Sequence, residues 1–110
     1  MRPIVLVELD KTRPALVLTR DIALDYLSKV TIALITGTIR GLTTEVPLGP
    51  RNGLDHECVA SCDNITTISK TAIVRQVGFL FDDQEENVSR AVMAAFDLLS
   101  PGWVSAGYQA

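Results

Sequence analysis

Four polar side chains stand at the ends of apolar runs along the chain: Arg13, Thr36, Ser61 and Asp63. An arginine carries a planar, permanently charged fork of donors that suits two oxygens of an anion and is a poor proton donor. A threonine hydroxyl donates or accepts a hydrogen bond, and a carboxylate can accept a proton. Such a set offers charge stabilisation with one candidate base. Each residue also has an ordinary structural use. Arg13 would serve as a surface salt-bridge partner, Thr36 as a hydrogen bonder at a loop start, and Asp63 as a turn cap. His56 is the one histidine, so acid–base work by a histidine pair is excluded. The sequence has no phosphate-binding glycine loop, nucleophile elbow or metalloprotease motif.

Cys58 and Cys62, with His56 close by, raise the questions of a disulfide and of a metal. On one strand the two cysteine Cα atoms would stand ~13 Å apart, at ~3.3 Å per residue. A disulfide needs them within ~7 Å. A straight strand also cannot wrap an ion with ligands at that spacing. The expectation is two buried thiols, a histidine at a loop edge, no metal and no cofactor.

These side chains need elements to position them. Ile4–Glu8, Ala15–Thr19 and Val30–Thr36 read as strands, and the second and third are apolar enough for burial on both faces. Arg13-Pro14 is extended, because proline disfavours helix at the residue before it. Asp21–Lys29 is either a short helical turn or an ordered loop. Gly37–Thr43, with two glycines around Arg40, reads as a mobile loop. Thr44–Leu48, Cys58–Asn64 and Gln76–Phe81 complete six strands. Dense turn chemistry fills Gly49–Gly53, and Thr66–Val74 has room for one helical turn. The period then changes: Val88, Ala91, Val92, Ala95, Phe96 and Leu99 recur at helical spacing. Asp82 and Glu85 resemble a cap for that helix, and the acidic block around them suits its N-terminus. Ser100-Pro101-Gly102 stops it. The expected fold is mainly β with helices (α+β): a small antiparallel barrel with a C-terminal amphipathic helix, one domain over residues 1–100, and a tail over 101–110.

Composition narrows the class further. With 47% hydrophobic residues and 21% charged ones, intrinsic disorder is excluded over 110 residues. No apolar run approaches the ~20 residues of a membrane span. The N-terminal run lacks the length and small-residue site of a secretory signal, so a soluble, cytoplasmic protein is expected. The net charge of −3 argues mildly against nucleic acid. Because much of the acid lies in one block, a basic groove remains possible.

Three segments, in order, carry a family likeness. Arg13-Pro14 with the apolar run to Thr19 resembles the Arg-Pro strand of the MazF/PemK toxin family. Val30–Thr36, the loop Gly37–Thr43 and the strand after it resemble that family's next strand, loop and strand. Cys58–Ile68 resembles its third block, in which an acidic residue, an amide, an apolar residue and a threonine follow the strand. The likeness runs from about residue 4 to residue 99. It implies an SH3-like barrel, a homodimer, and a toxin of a toxin–antitoxin pair. The activity it implies is sequence-specific cleavage of single-stranded RNA without metal, by attack of a 2′-hydroxyl on its own phosphate. The same likeness gives Arg13 and Thr36 catalytic roles and makes Asp63 a base or an orienting group. It puts Thr38, Arg40, Thr43 and Ser61 against the RNA, and a MazE-like cognate antitoxin over the groove with Arg13 and Arg40. The chain departs from the pattern in places. Its first loop is cut to Asp10-Lys11-Thr12, Ser61 stands where some relatives have arginine, and Thr66 replaces another common arginine.

Two alternatives share the fold. A CcdB-like toxin would poison gyrase and cleave nothing, relying on the C-terminal end of its helix. A catalytically degenerate member would only bind antitoxin, which the altered first loop, Ser61 and Thr66 would suit.

Overall fold

The computed structural model describes residues 1–98, and the helix position Leu99 and the tail 101–110 fall outside them. Six strands form one antiparallel sheet: β1 (Arg2–Glu8), β2 (Thr12–Val17), β3 (Lys29–Thr36), β4 (Glu45–Leu48), β5 (Cys58–Ser69) and β6 (Ile73–Leu80). Their order across the sheet is β4-β5-β3-β2-β1-β6. One helix, α1 (Glu85–Ala95), follows. The sheet is curled into a half-barrel, since its end strands β4 and β6 are not paired with each other.

The apolar strands at the centre explain the curl. Leu16, Ala33 and Ile35 enter one core with Ile4, Val46, Ala60, Cys62 and Leu80, which α1 covers with Val88 and Ala91. Ala15, Val17, Val30 and Ile32 point the other way and form a second core with Val5 and Val7. Both faces of β2 and β3 are therefore buried, as their continuous apolarity predicts. That burial happens within the chain. An isolated 11-residue helix is marginal in water, so packing of its apolar stripe holds α1 in place. Phe96, in the same stripe, is exposed.

The gap between the sheet edges is closed by the turn after β4. Asn52, 1% exposed, accepts the Gly49 N–H and donates to the Phe79 carbonyl and the Gln84 side chain. Gly53 adopts φ +87° and lies against Gly78 on β6. A Cβ on Gly78 would overlap the Asn52 carbonyl oxygen, so backbone meets backbone here and only glycine fits.

Several boundaries differ from those read in the sequence. β5 continues through Thr66 to Ser69, and the expected turn is a short 3₁₀ segment, Lys70–Ala72. The reason is pairing: Ile65–Ser69 faces β3 from Ala33 back to Lys29, so its threonines sit in a ladder. A 3₁₀ turn, Asp21–Ala23, occupies part of the ambiguous segment before β3. The start of α1 differs too. Glu85 pairs with Arg2 at 2.6 Å and Asp82 with the N-terminal amine, so neither acts as the cap. Gln84 stands at the N-cap position without a side-chain cap bond to α1; its Oε1 accepts the Phe81 N–H of the preceding 3₁₀ turn at 3.0 Å. Among the described residues no helix is long and apolar enough to cross a membrane.

Candidate active site

The β1–β2 hairpin sets Arg13. Its strand partner is Val7, and the reversal at Leu9–Lys11 puts Asp10 three residues before the arginine. Arg13 donates through Nε and Nη2 to the two Asp10 carboxylate oxygens at 3.2 and 3.1 Å. The Lys11 N–H donates to the same carboxylate at 3.0 Å. With the Arg13 guanidinium hydrogen-bonded to it, the Asp10 carboxyl is held below the usual carboxylate range.

Thr36 closes β3, opposite Val59 of β5. Its hydroxyl oxygen accepts the Thr38 N–H at 3.1 Å, which leaves the hydroxyl proton free to donate elsewhere. The loop beyond it lacks regular structure, as its glycines suggest, yet it is tied down rather than mobile. The Glu45 carboxylate at the start of β4 accepts the N–H groups of Arg40, Gly41 and Leu42 at 2.9–3.3 Å.

Ser61 and Asp63 alternate on β5 with the buried Ala60 and Cys62, so both face away from the core. Asp63 accepts the Thr44 hydroxyl at 2.7 Å. It does not hold Arg13: the carboxylate in that position is Asp10. Burial raises both thiols, Cys62 to about 11. They remain free thiols, as the strand geometry requires.

These pieces meet at one place. A cavity of about 280 Å³ is lined by Arg13, Thr36, Thr38, Arg40, Ser61 and Asp63, six of the seven residues singled out in the sequence. Thr43, the seventh, is exposed and lies off its wall. Glu45 and Asn64 line the cavity as well. Asp10 and Glu45 are the two carboxylates that the sequence reading left out. Each had a local signal: an acid three residues before an extended arginine, and an acid just after a glycine-bearing loop. Chemically, the cavity combines two arginines, two threonine hydroxyls and two carboxylates, a set suited to an anion that must also exchange a proton.

Comparisons with known proteins identify the family. The family model described as "PemK-like, MazF-like toxin of type II toxin-antitoxin system" matches residues 3–96. The chain is 48% identical over 106 residues to "Endoribonuclease MazF3" of Mycobacterium tuberculosis, covering 96% of this chain and 100% of that protein. It is similar to the solved structure of "Mycobacterium tuberculosis toxin MazF-mt6", at 47% identity and a TM-score of 0.88 over 90% of this chain and 100% of that one. A mycobacterial "Endoribonuclease in complex with its cognate antitoxin", 23% identical, shares the fold with a TM-score of 0.80 over 90% of this chain and 95% of that one. This chain belongs to the family of PemK-like, MazF-like toxins of type II toxin–antitoxin systems.

Proposed function

We infer that this chain is the toxin of a type II toxin–antitoxin pair and acts as an endoribonuclease on single-stranded RNA. The observation that carries the reading is the shared cavity of Arg13, Thr36 and Asp63 in a chain so similar to a named endoribonuclease. That similarity favours RNA cleavage over the gyrase-poisoning alternative, which rested on fold alone.

The reaction follows from what RNA supplies. Its 2′-hydroxyl is held next to the phosphate it attacks, so the protein has to align the two and stabilise the charge that develops. Arg13 keeps part of its fork free beyond the two donors given to Asp10, and those donors face the phosphorane oxygens. Thr36 donates its unused hydroxyl proton to a phosphate oxygen or aligns the attacking hydroxyl. Asp63 accepts the proton of the 2′-hydroxyl or orients it, once released from Thr44. The P–O5′ bond breaks as the new P–O2′ bond forms, and the departing 5′ oxygen takes up a proton from water, leaving a 2′,3′-cyclic phosphate and a 5′-hydroxyl. Arg40, Thr38, Thr43 and Ser61 contact the strand on either side. No step calls on a metal.

Partners complete the reading. A cognate antitoxin of the MazE-like kind covers the groove with Arg13 and Arg40, folding an acidic or apolar segment onto it. The toxin acts as a homodimer in the cytoplasm, and apolar side chains such as Ile39 and Leu42 are still exposed for a second copy to cover. Residues 1–100 act as one domain.

Cleavage of a single-stranded RNA in excess EDTA, beside the same strand carrying 2′-deoxy at the cut, tests the chemistry. The RNA is expected to be cut and the deoxy strand spared, with Arg13→Ala slower by on the order of 10²–10³. Activity that disappears with EDTA, or survives on the deoxy strand, overturns the mechanism.

A further inference from the structure

Next to the cavity of Arg13 and Thr36 lies a larger one, of about 480 Å³. Ile35 lines both, and the chain neighbours of the two residues, Pro14 and Gly37, line the second. Its wall is apolar at Leu6, Leu54 and Val77, while Asp55, His56 and Arg75 are exposed around it. None of those three has a part in the chemistry described above. The Arg75 guanidinium makes no ion pair among the described residues.

This wall is held in place at both ends. Gly53 is locked against Gly78 on β6, just behind the buried Asn52, so the start of the segment 53–56 cannot drift. At its other end the His56 ring lies over Gly37, where a Cβ would stand 3.1 Å from Nε2. Asp55 and His56 are thus presented by a segment pinned between β6 and the end of β3. That preorganisation lowers the cost of binding a ligand there.

We propose that this second cavity is a nucleobase subsite. It receives the base next to the cleaved phosphate and selects a base that carries an exocyclic amino group. The proposal rests on the endoribonuclease reading. Single-stranded RNA is read through unstacked bases laid on aromatic or guanidinium planes and hydrogen-bonded at their edges. The apolar wall covers one face of such a base, and His56 and Arg75 offer the planes. The Asp55 carboxylate accepts a hydrogen bond from the amino group of cytosine, adenine or guanine. Uracil has no such donor and leaves that carboxylate unpaired. The volume lies within the ~300–1,000 Å³ of small-ligand sites, enough for a base and its ribose. The phosphate that follows falls within reach of Arg13, because Ile35 lines both cavities and Pro14, in the wall of the larger, directly follows Arg13 in the chain.

The test uses the full-length protein and a pool of single-stranded RNA randomised around the cut, with the new 5′ ends sequenced. The wild type should favour amino-bearing bases over uracil at one position beside the cut. Asp55→Ala and His56→Ala should weaken that preference about tenfold or more. Arg13→Ala should remove cleavage at every sequence. A wild type that cuts nothing overturns the ribonuclease reading and the subsite with it. If the wild type cuts and both variants keep its motif, the ribonuclease stands and the subsite falls. A preference for uracil at that position also overturns the subsite. So does a loss of all cleavage in a folded Asp55→Ala protein, which would put Asp55 in the reaction itself. Variants that keep the motif but bind an antitoxin peptide more weakly reassign the cavity to the antitoxin.

Discussion

Arg13 enters any reaction already engaged, because two of its donors are given to Asp10. The pair is exposed, with Asp10 at 70%, so it contributes little to stability and yields readily to a competing phosphate. Its use is orientation: with Nε and Nη2 fixed, the remaining donors of the fork have a defined direction. The lowered Asp10 carboxyl gives a signature of this contact. A folded-state value below the ordinary one means that the pair contributes at pH above the carboxylate range. The contribution is lost as the pH falls through the lowered value. A carboxyl NMR titration should therefore put Asp10 below an ordinary aspartate in the wild type. In Arg13→Ala it should return toward the ordinary value, and an unchanged midpoint would break the assignment. That Arg13 and Thr36 share a cavity was legible from the sequence, because strand ends and a family likeness both mark them. Their hydrogen-bond partners were not. Whether Asp10 or Asp63 reaches the arginine depends on the hairpin reversal, which composition does not encode.

At the scale of elements, one carboxylate organises the loop that carries Arg40. Glu45 gathers three successive N–H groups, so residues 40–42 are fixed without any ladder. Hydrogen bonds to a charged acceptor contribute about 1.5–3 kcal/mol when well sheltered, and this acceptor is half-buried. Glu45→Ala should raise amide exchange at Arg40, Gly41 and Leu42 roughly tenfold, while amides in β2 and β3 keep their protection. Equal rates in both proteins would mean that the loop is held by other contacts. A second element-level prediction concerns the turn that closes the half-barrel. Gly78→Ala drives a Cβ into the Asn52 carbonyl and should cost about 2–3 kcal/mol, read as a lower Tm. The six strands and the helix were readable because each is a run of strong local pattern. The strand pattern of β5 fades at Asn64, since Thr66 and Thr67 look like loop residues until β3 lies beside them. The Gly53–Gly78 contact is likewise tertiary, joining residues 25 apart that have no local reason to meet.

For the whole molecule the open question is how an acidic protein holds a polyanion. The net charge is −3, so attraction at long range is weak and the contact must be local. Three of the seven arginines stand at the two cavities. Arg13 and Arg40 line the smaller cavity and Arg75 the larger, whereas Arg2, Arg51 and Arg90 are committed to carboxylates elsewhere. Two or three arginines per site can neutralise two or three phosphates and no more. Counterion release at a single strand scales as about 0.7 per phosphate contacted. Affinity for a strand blocked by 2′-deoxy at the cut should therefore fall with a log–log salt slope of about −1.4 to −2.1 per site. Arg40→Ala should reduce the slope by about 0.7, and Arg90→Ala should leave it unchanged, since Arg90 sits on α1 paired with Glu86. Fluorescence anisotropy across a salt series measures this directly. A slope steeper than about −4 would mean that cations outside the two cavities carry the strand, and the acidic surface would need a different account.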